Sequence, residues 1–140
     1  MVDIQAASLT LSVAEAQSTS RWYYEKNRLE HFPHFRLLAS SSVITAAEGT
    51  LDTQSGNTYA IRIDLTRYPF ALPSVYPKDW QPHPDVPHKF NTGAICVMRS
   101  DQWRQTFTVA LVVAKTSIWL GKYEIWKRNG HHWPGLGQAH

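Results

Sequence analysis

The sequence is short of cysteine and of charge, and it has no long apolar run. Only one of its 140 residues is cysteine, so no internal disulfide can form and nothing indicates an oxidising compartment. The first residues show no basic region followed by an apolar one, the mark of a secretory signal. No apolar run approaches the roughly 18 residues that a membrane-spanning helix needs. These absences predict a cytoplasmic protein that makes no membrane contact.

Charged residues are scarce as well, and positive charge is not concentrated in any stretch of the chain. Charged residues are 18% of the chain, the net charge is +3, and no run of Lys and Arg exceeds two residues. Nucleic-acid binding usually requires a concentrated basic stripe, so it is not expected here. Hydrophobic residues are 43% of the chain and include six Trp, which supply a substantial core. The length predicts a single globular domain at 12–140, preceded by an N-terminal arm at 1–11.

Local patterns predict an α+β domain that begins with a helix. Ser12 is followed three positions later by Glu15, which is the pattern of a capping box. A helix is predicted from there to about His31, although the run 18–20 could restart it later, and Pro33 prevents its continuation. The residues expected to share one face of this helix are Trp22, Lys26 and Leu29.

A switch to period-two alternation predicts a four-stranded antiparallel meander. The strands are expected near 35–40, 43–51, 59–65 and 75–77, the last at an edge because it contains proline. Gly49 is a candidate bulge, and Ser55-Gly56-Asn57 is a hairpin turn signal. Further on, Thr108 could cap a long, mostly buried helix that ends near Asn129-Gly130.

The lone cysteine lies in a stretch, residues 83–98, that is rich in loop-forming and hydrogen-bonding residues. Two histidines, Asp85 and Asn91 precede Cys96 within fourteen residues, and Pro84 and Gly93 favour loop. A thiol on a loop is the usual arrangement of a reactive group held by a rigid scaffold, and predicts an accessible sulfur. The alternative, a buried cysteine acting as a small hydrophobe between Ile95 and Val97, remains open.

Over about residues 45–126 an ordered set of motifs resembles the ubiquitin-conjugating, or E2-type, enzyme family. The similarity implies the family's UBC-like fold: an N-terminal helix, a four-stranded meander, an active-site cysteine loop and a long C-terminal helix. The motifs are Gly49-Thr50-Leu51, the strand at 59–65, Tyr68-Pro69 with Pro73 and Val75, His83-Pro84-Asp85-Val86, Gly93-Ala94-Ile95-Cys96-Val97, Trp103, and Thr108-Val109.

Three features depart from the eukaryotic enzymes of this family. Asp85 stands where the family motif has asparagine, and His83 precedes Cys96 by 13 positions, a few more than in those enzymes. The ending Trp133-Pro134-Gly135 is more similar to prokaryotic relatives from antiphage islands, of the cyclic-oligonucleotide (CBASS) or Bil type.

The resemblance implies a carrier that holds its cargo as a thioester on Cys96. The cargo would be a ubiquitin-like protein or the C-terminus of a cGAS-like nucleotidyltransferase. It would be received from an activating, E1-like enzyme and passed to a lysine-bearing target, with no cofactor. A catalytically inactive UBC-fold binding module is an alternative. A cysteine hydrolase using Cys96 with His83 or His88 is another, disfavoured because no helix start directly follows Cys96.

The other candidate site residues each have two interpretations. His83 resembles the family histidine that braces the loop, and His88 is either an auxiliary base or a solvated loop residue. An ionised Asp85 cannot donate to an oxyanion, so it would deprotonate the incoming lysine or stabilise a turn. Asn91 is either the oxyanion donor or a loop-shaping residue. No metal is expected, because His131, His132 and His140 lack a ligand spacing with Cys96 and His83.

Overall fold

Four strands form one antiparallel sheet, and a long helix follows them. The computed structural model describes residues 6–135. The strands lie in the order β1-β2-β3-β4, so the predicted α+β class, meander and C-terminal helix are confirmed. The elements are α1 (Val13–Gln17), α2 (Arg21–Leu29), β1 (Arg36–Ser40), β2 (Val43–Asp52), β3 (Thr58–Asp64), β4 (Ser74–Pro77) and α3 (Val109–Arg128), with single 3₁₀ turns at Ala6–Leu9 and Ser100–Gln102.

The predicted capping box is present, and of the two courses predicted for the helix the restart after residues 18–20 is the one observed. Glu15 N–H donates to Ser12 Oγ at 3.0 Å, and Ser12 N–H donates to Glu15 Oε1 at 2.9 Å. The helix then stops at Ser18, which has extended backbone, and restarts at Arg21. Ser18 Oγ accepts from Ser20 N–H at 2.9 Å, and such local side-chain bonds compete with helical ones.

The face predicted for the first helix holds at Trp22 and Leu29, which pack on the core, but α2 buries charged residues in place of Lys26. Lys26 is exposed, whereas Arg21 and Glu25 are 8% and 1% exposed. Arg21 Nε donates to Glu25 Oε2 at 3.1 Å, and Val109 N–H, at the start of α3, donates to Glu25 Oε1 at 3.0 Å. A buried ion pair with these partners is tolerated, but apolar periodicity cannot anticipate it.

The bulge in the sheet does not lie at Gly49, the position that the sequence predicts for it. Opposite β1 the register shifts between Leu38, which pairs with Ala46, and Ala39, which pairs with Ile44. Gly49 pairs regularly with Ile61 on β3, so its assignment to a bulge is wrong. β3 itself alternates as predicted, because the side chains of Ile61 and Ile63 are fully buried and those between and beside them are less so.

Helix α3 begins and ends where the sequence predicts. Thr108 Oγ accepts from Leu111 N–H at 3.0 Å, and the helix runs through Gly121 to Arg128. One core cluster joins α3 to the sheet and includes Leu9 of the N-terminal arm, although the arm boundary at residue 11 stays a prediction. Within residues 6–135, no helix is long and apolar enough to cross a bilayer.

Candidate functional site

The segment that carries Cys96 lies between the sheet and α3. We call residues 78–99, between β4 and the second 3₁₀ turn, the cysteine loop. Ile95 N–H donates to the Val75 carbonyl at 2.8 Å, which joins the loop to the free edge of β4. Ile95 and Val97 are each 2% exposed and belong to the core cluster, so the flanks of Cys96 are fixed in the body of the protein.

Residues 88–96 form a small hairpin within the cysteine loop. Cys96 N–H donates to the His88 carbonyl at 2.7 Å, and Phe90 N–H donates to the Ala94 carbonyl at 2.7 Å. Gly93 has a φ of 93°, the left-handed conformation that glycine allows at a tight turn. Cys96 therefore lies opposite His88, with Asn91 at the tip of the hairpin.

An aromatic stripe on α3, Trp119, Tyr123 and Trp126, holds the cysteine loop. Trp119 Nε1–H donates to the His88 carbonyl at 3.1 Å. His83 N–H donates to the Tyr123 hydroxyl at 2.8 Å, and the His83 ring centre is 5.3 Å from that of Trp126. Sequence patterns alone did not mark these aromatic residues as a docking surface. Their spacing puts them on one helix face and is the signal that could have indicated a docking surface.

Cys96 itself is buried, so the predicted accessible sulfur is wrong for this conformation. The side chain is 1% exposed, and its thiol donates to the Met98 carbonyl at 3.5 Å, a contact that only the neutral thiol can make. Burial raises the pKa of Cys96. Because the thiolate is the nucleophile, the thiol has to become more exposed before it can react.

His83 and Asp85 form a turn at the start of the site. His83 Nδ1 accepts from Asp85 N–H at 3.1 Å, and the Asp85 side chain is exposed. Lys89 Nζ donates to the Pro84 carbonyl at 2.9 Å and to the His83 carbonyl at 3.4 Å. These bonds fix the backbone of the turn and leave the Asp85 carboxylate at the surface.

His88 and Asn91 differ in their distance from the thiol. His88 is bonded to Cys96 through the backbone, and its half-buried ring lies 4.8 Å, centre to centre, from Trp133. Asn91 is exposed at the hairpin tip, about 10 Å along the strands from Cys96, at roughly 3.3 Å per residue. The structure therefore brings His88 to Cys96 and leaves Asn91 at the other end of the hairpin.

The histidines beyond α3 pack or face solvent. His131 stacks on Trp126 with ring centres 3.9 Å apart, His132 is exposed, and His140 lies outside the described residues. Among residues 6–135 no group of three or more His, Cys, Asp or Glu side chains could hold a metal ion.

Comparison with known families identifies the class of protein. A family model for E2-like proteins matches residues 24–140. Its description is Type II CBASS E2 protein, and the chain belongs to this E2-CBASS family. The resemblance to prokaryotic antiphage relatives is thus confirmed, on the CBASS side of the two types, and membership implies partners within the CBASS system. No curated protein matched the chain in the sequence comparison.

Proposed function

We propose that this protein is an E2-like conjugating enzyme of CBASS antiphage defence, with a UBC-like fold and Cys96 as its acyl carrier. Family membership supports the conjugating role. The observation that carries the proposal is the position of the chain's one thiol, on a loop held between the edge of β4 and the aromatic stripe of α3. In such a place small movements of the loop can expose or cover the sulfur.

Two acyl-transfer steps make up the proposed reaction. In the first, the Cys96 thiol loses its proton, and its sulfur attacks an activated C-terminal carbonyl on an E1-like enzyme. The new C–S bond replaces the bond to the leaving group of the activating enzyme. In the second, the amine of a lysine attacks the thioester carbon, the C–S bond breaks, and the amine gives up a proton as the amide forms. The Cys96 thiol is regenerated.

The neighbouring residues support the second step in different ways. His83 braces the loop, since its ring accepts from the Asp85 backbone. Asp85, with its exposed carboxylate, is suited to accepting a proton from the incoming lysine. Asn91 serves as oxyanion donor only if the hairpin bends so that its tip approaches the sulfur. His88, whose backbone carbonyl accepts from Cys96 N–H, is the proposed auxiliary group.

The proposed cargo is a ubiquitin-like protein or the C-terminus of a cGAS-like nucleotidyltransferase. Both offer a C-terminal carboxyl group that an activating enzyme can convert into an acyl donor. The acceptor is a lysine of a target protein. These partners follow from the family's chemistry, and the same assay can be run with either cargo.

The test is a charging assay with an E1-like enzyme, ATP and each cargo, followed by non-reducing gels. We expect an adduct that reductant removes, that Cys96→Ala abolishes, and that Cys96→Ser converts into a reductant-stable oxyester. The chain offers no second cysteine, so the Ala variant removes every thiol. With lysine added to charged protein, Asn91→Ala should slow discharge about 10²-fold if the amide is the oxyanion donor. Unchanged discharge would restrict Asn91 to shaping the loop.

A UBC-fold module that only binds partners is the second candidate, favoured by the buried thiol. Its expected result is complex formation with a CBASS partner and no adduct under any charging condition. The hydrolase alternative predicts a cleaved cargo and no accumulating conjugate. One charging assay therefore separates the three activities.

A further inference from the structure

The chain beyond α3 turns back toward the cysteine loop. We call residues 129–135 the C-terminal segment. Its turn is closed by His132 N–H, which donates to Asn129 Oδ1 at 3.0 Å, and by Asn129 Nδ2–H, which donates to the His132 carbonyl at 2.9 Å. Gly130 has a φ of 83°, and His131 N–H donates to the Trp126 carbonyl at 3.0 Å. The direction of the segment is therefore fixed by its own hydrogen bonds.

Two rings of the C-terminal segment contact the cysteine loop. His131 stacks on Trp126 with an interplanar angle of 10°, and its ring centre is 5.0 Å from that of His83. Trp133 lies 4.8 Å, centre to centre, from His88. The segment thus packs on both ends of the 83–88 stretch, which leads directly into the hairpin of Cys96.

His88 connects the C-terminal segment to the thiol. Its carbonyl accepts both from Cys96 N–H at 2.7 Å and from Trp119 Nε1–H at 3.1 Å. Its φ is 61°, a conformation that a residue with a side chain keeps only when its surroundings hold it. Trp133 packs on His88 and also on Trp119, at 5.6 Å, so it supports the residue and the hydrogen bond that fix this carbonyl.

The contact made by Trp133 is well placed to be lost reversibly. Its Nε1–H is buried and has no hydrogen-bond partner within residues 6–135, and a buried unpaired donor weakens the state that buries it. Meanwhile the Cys96 side chain is 1% exposed. His88 therefore contacts both Trp133, whose burial leaves a donor unpaired, and Cys96, whose thiol has to become exposed before it can react.

We propose that the C-terminal segment is a latch that keeps the cysteine loop closed, and that release of Trp133 from His88 exposes Cys96. The latch regulates access to the thiol, and its biological meaning rests on the proposed carrier function. A partner protein that binds Trp133 would thereby open the loop, so that Cys96 becomes exposed only when the partner is bound.

The test measures the rate at which iodoacetamide alkylates Cys96 in the native full-length protein. We expect Trp133→Ala to raise the rate roughly tenfold or more, since the loss of aromatic contacts shifts the closed–open equilibrium. Trp133→Phe keeps a ring on His88 and lacks the unpaired N–H, so it should restore protection to the level of the unsubstituted protein. An unchanged rate in Trp133→Ala, or no rescue by Phe, would overturn the proposal.

The matched control is Trp22→Ala, which removes another half-buried tryptophan, on α2 beside Tyr68. It should leave the alkylation rate unchanged under conditions where both Ala variants are folded by thermal melting. Equal acceleration in the two variants would mean general loosening and would overturn the latch. Alkylation needs no activating enzyme, ATP or cargo. A failed charging assay therefore leaves the latch intact, and a failed latch leaves charging by Cys96 intact.

Discussion

At the scale of single residues, close packing of its neighbours, and not a turn, requires glycine at position 49. Gly49 lies in the regular part of β2, opposite Ile61. A methyl carbon added there would lie 2.5 Å from the His34 carbonyl oxygen and 2.5 Å from the Phe35 ring. Gly121, in the middle of α3, has nothing within 4 Å of the same hypothetical carbon. An added methyl group is thus expected to destabilise the protein at Gly49 and to fit without a clash at Gly121.

Gly49→Ala is expected to lower the free energy of unfolding by about 1–3 kcal/mol, because the methyl group displaces Phe35 or the backbone at His34. Gly121→Ala, the matched control, should raise it by roughly 0.5–1 kcal/mol, because alanine is the better helix former. Urea denaturation of both variants measures the two changes. A neutral Gly49→Ala would contradict the close packing of β2 on Phe35.

Between elements, Glu124 ties α3 to the hairpin that joins β2 and β3. Its Oε2 accepts from Asn57 Nδ2–H at 2.6 Å and from the Tyr59 hydroxyl at 2.9 Å, and the residue is 5% exposed. Burial acts to raise the pKa of Glu124, but the hydrogen bonds from Asn57, Thr53 and Tyr59 outweigh it, so the pKa lies below its ordinary value of 4.5.

Replacing Glu124 with Gln should lower the free energy of unfolding by about 1–3 kcal/mol at neutral pH, since a charged acceptor of several hydrogen bonds is lost. A carboxyl group whose folded pKa is lowered stabilises the protein above its unfolded pKa. It loses that contribution as the pH falls through the folded value. The difference between Glu124→Gln and the unsubstituted protein should therefore shrink below about pH 4.5.

Denaturation curves at neutral and acidic pH test this expectation. The control is Glu30→Gln at the exposed end of α2, which should change stability by less than about 0.5 kcal/mol. A Glu124→Gln effect that stays constant with pH would argue against the lowered pKa.

At the scale of the whole molecule, one core includes the sheet, α3 and the flanks of the thiol. Ile95 and Val97 of the cysteine loop belong to the same cluster as Ile61 of β3 and Val113 of α3. Two backbone hydrogen bonds join the described part of this loop to the strands, from Lys78 N–H to the Ala60 carbonyl and from Ile95 N–H to the Val75 carbonyl. The loop is therefore expected to open without unfolding the rest of the protein.

If the loop opens locally, the alkylation rate at Cys96 in the native protein should be about 10²-fold or more below the rate in the unfolded chain. It should still exceed the rate that global unfolding alone would allow. Urea below the unfolding midpoint should raise the native rate less steeply than it raises the unfolded fraction, because local opening exposes little surface. Equal slopes would mean that the thiol reacts only after global unfolding. Amide hydrogen exchange of the hairpin and of β3 gives an independent comparison.

Much of the fold could be predicted because its signals are local. The Ser12 and Thr108 caps, the alternation of β3 and the lone cysteine in a proline-rich loop are all patterns over a few residues, and the structure retains each of them. Hydrophobic periodicity and capping chemistry act through neighbours in sequence, so the sequence alone determines them.

The local patterns do not specify which groups are buried or which distant segments make contact, and the tertiary structure decided both. The burial of the Cys96 sulfur, the hydrogen bond from Val109 to Glu25, and the contact of Trp133 with His88 all depend on segments that are distant in sequence and meet only in the folded core. Whether one atom is covered depends on how separate elements pack, and a linear pattern does not specify that geometry. The sequence by itself determined that a lone thiol would sit in a loop after the sheet. Packing of that loop between the edge of β4 and helix α3 decided that the thiol would be buried.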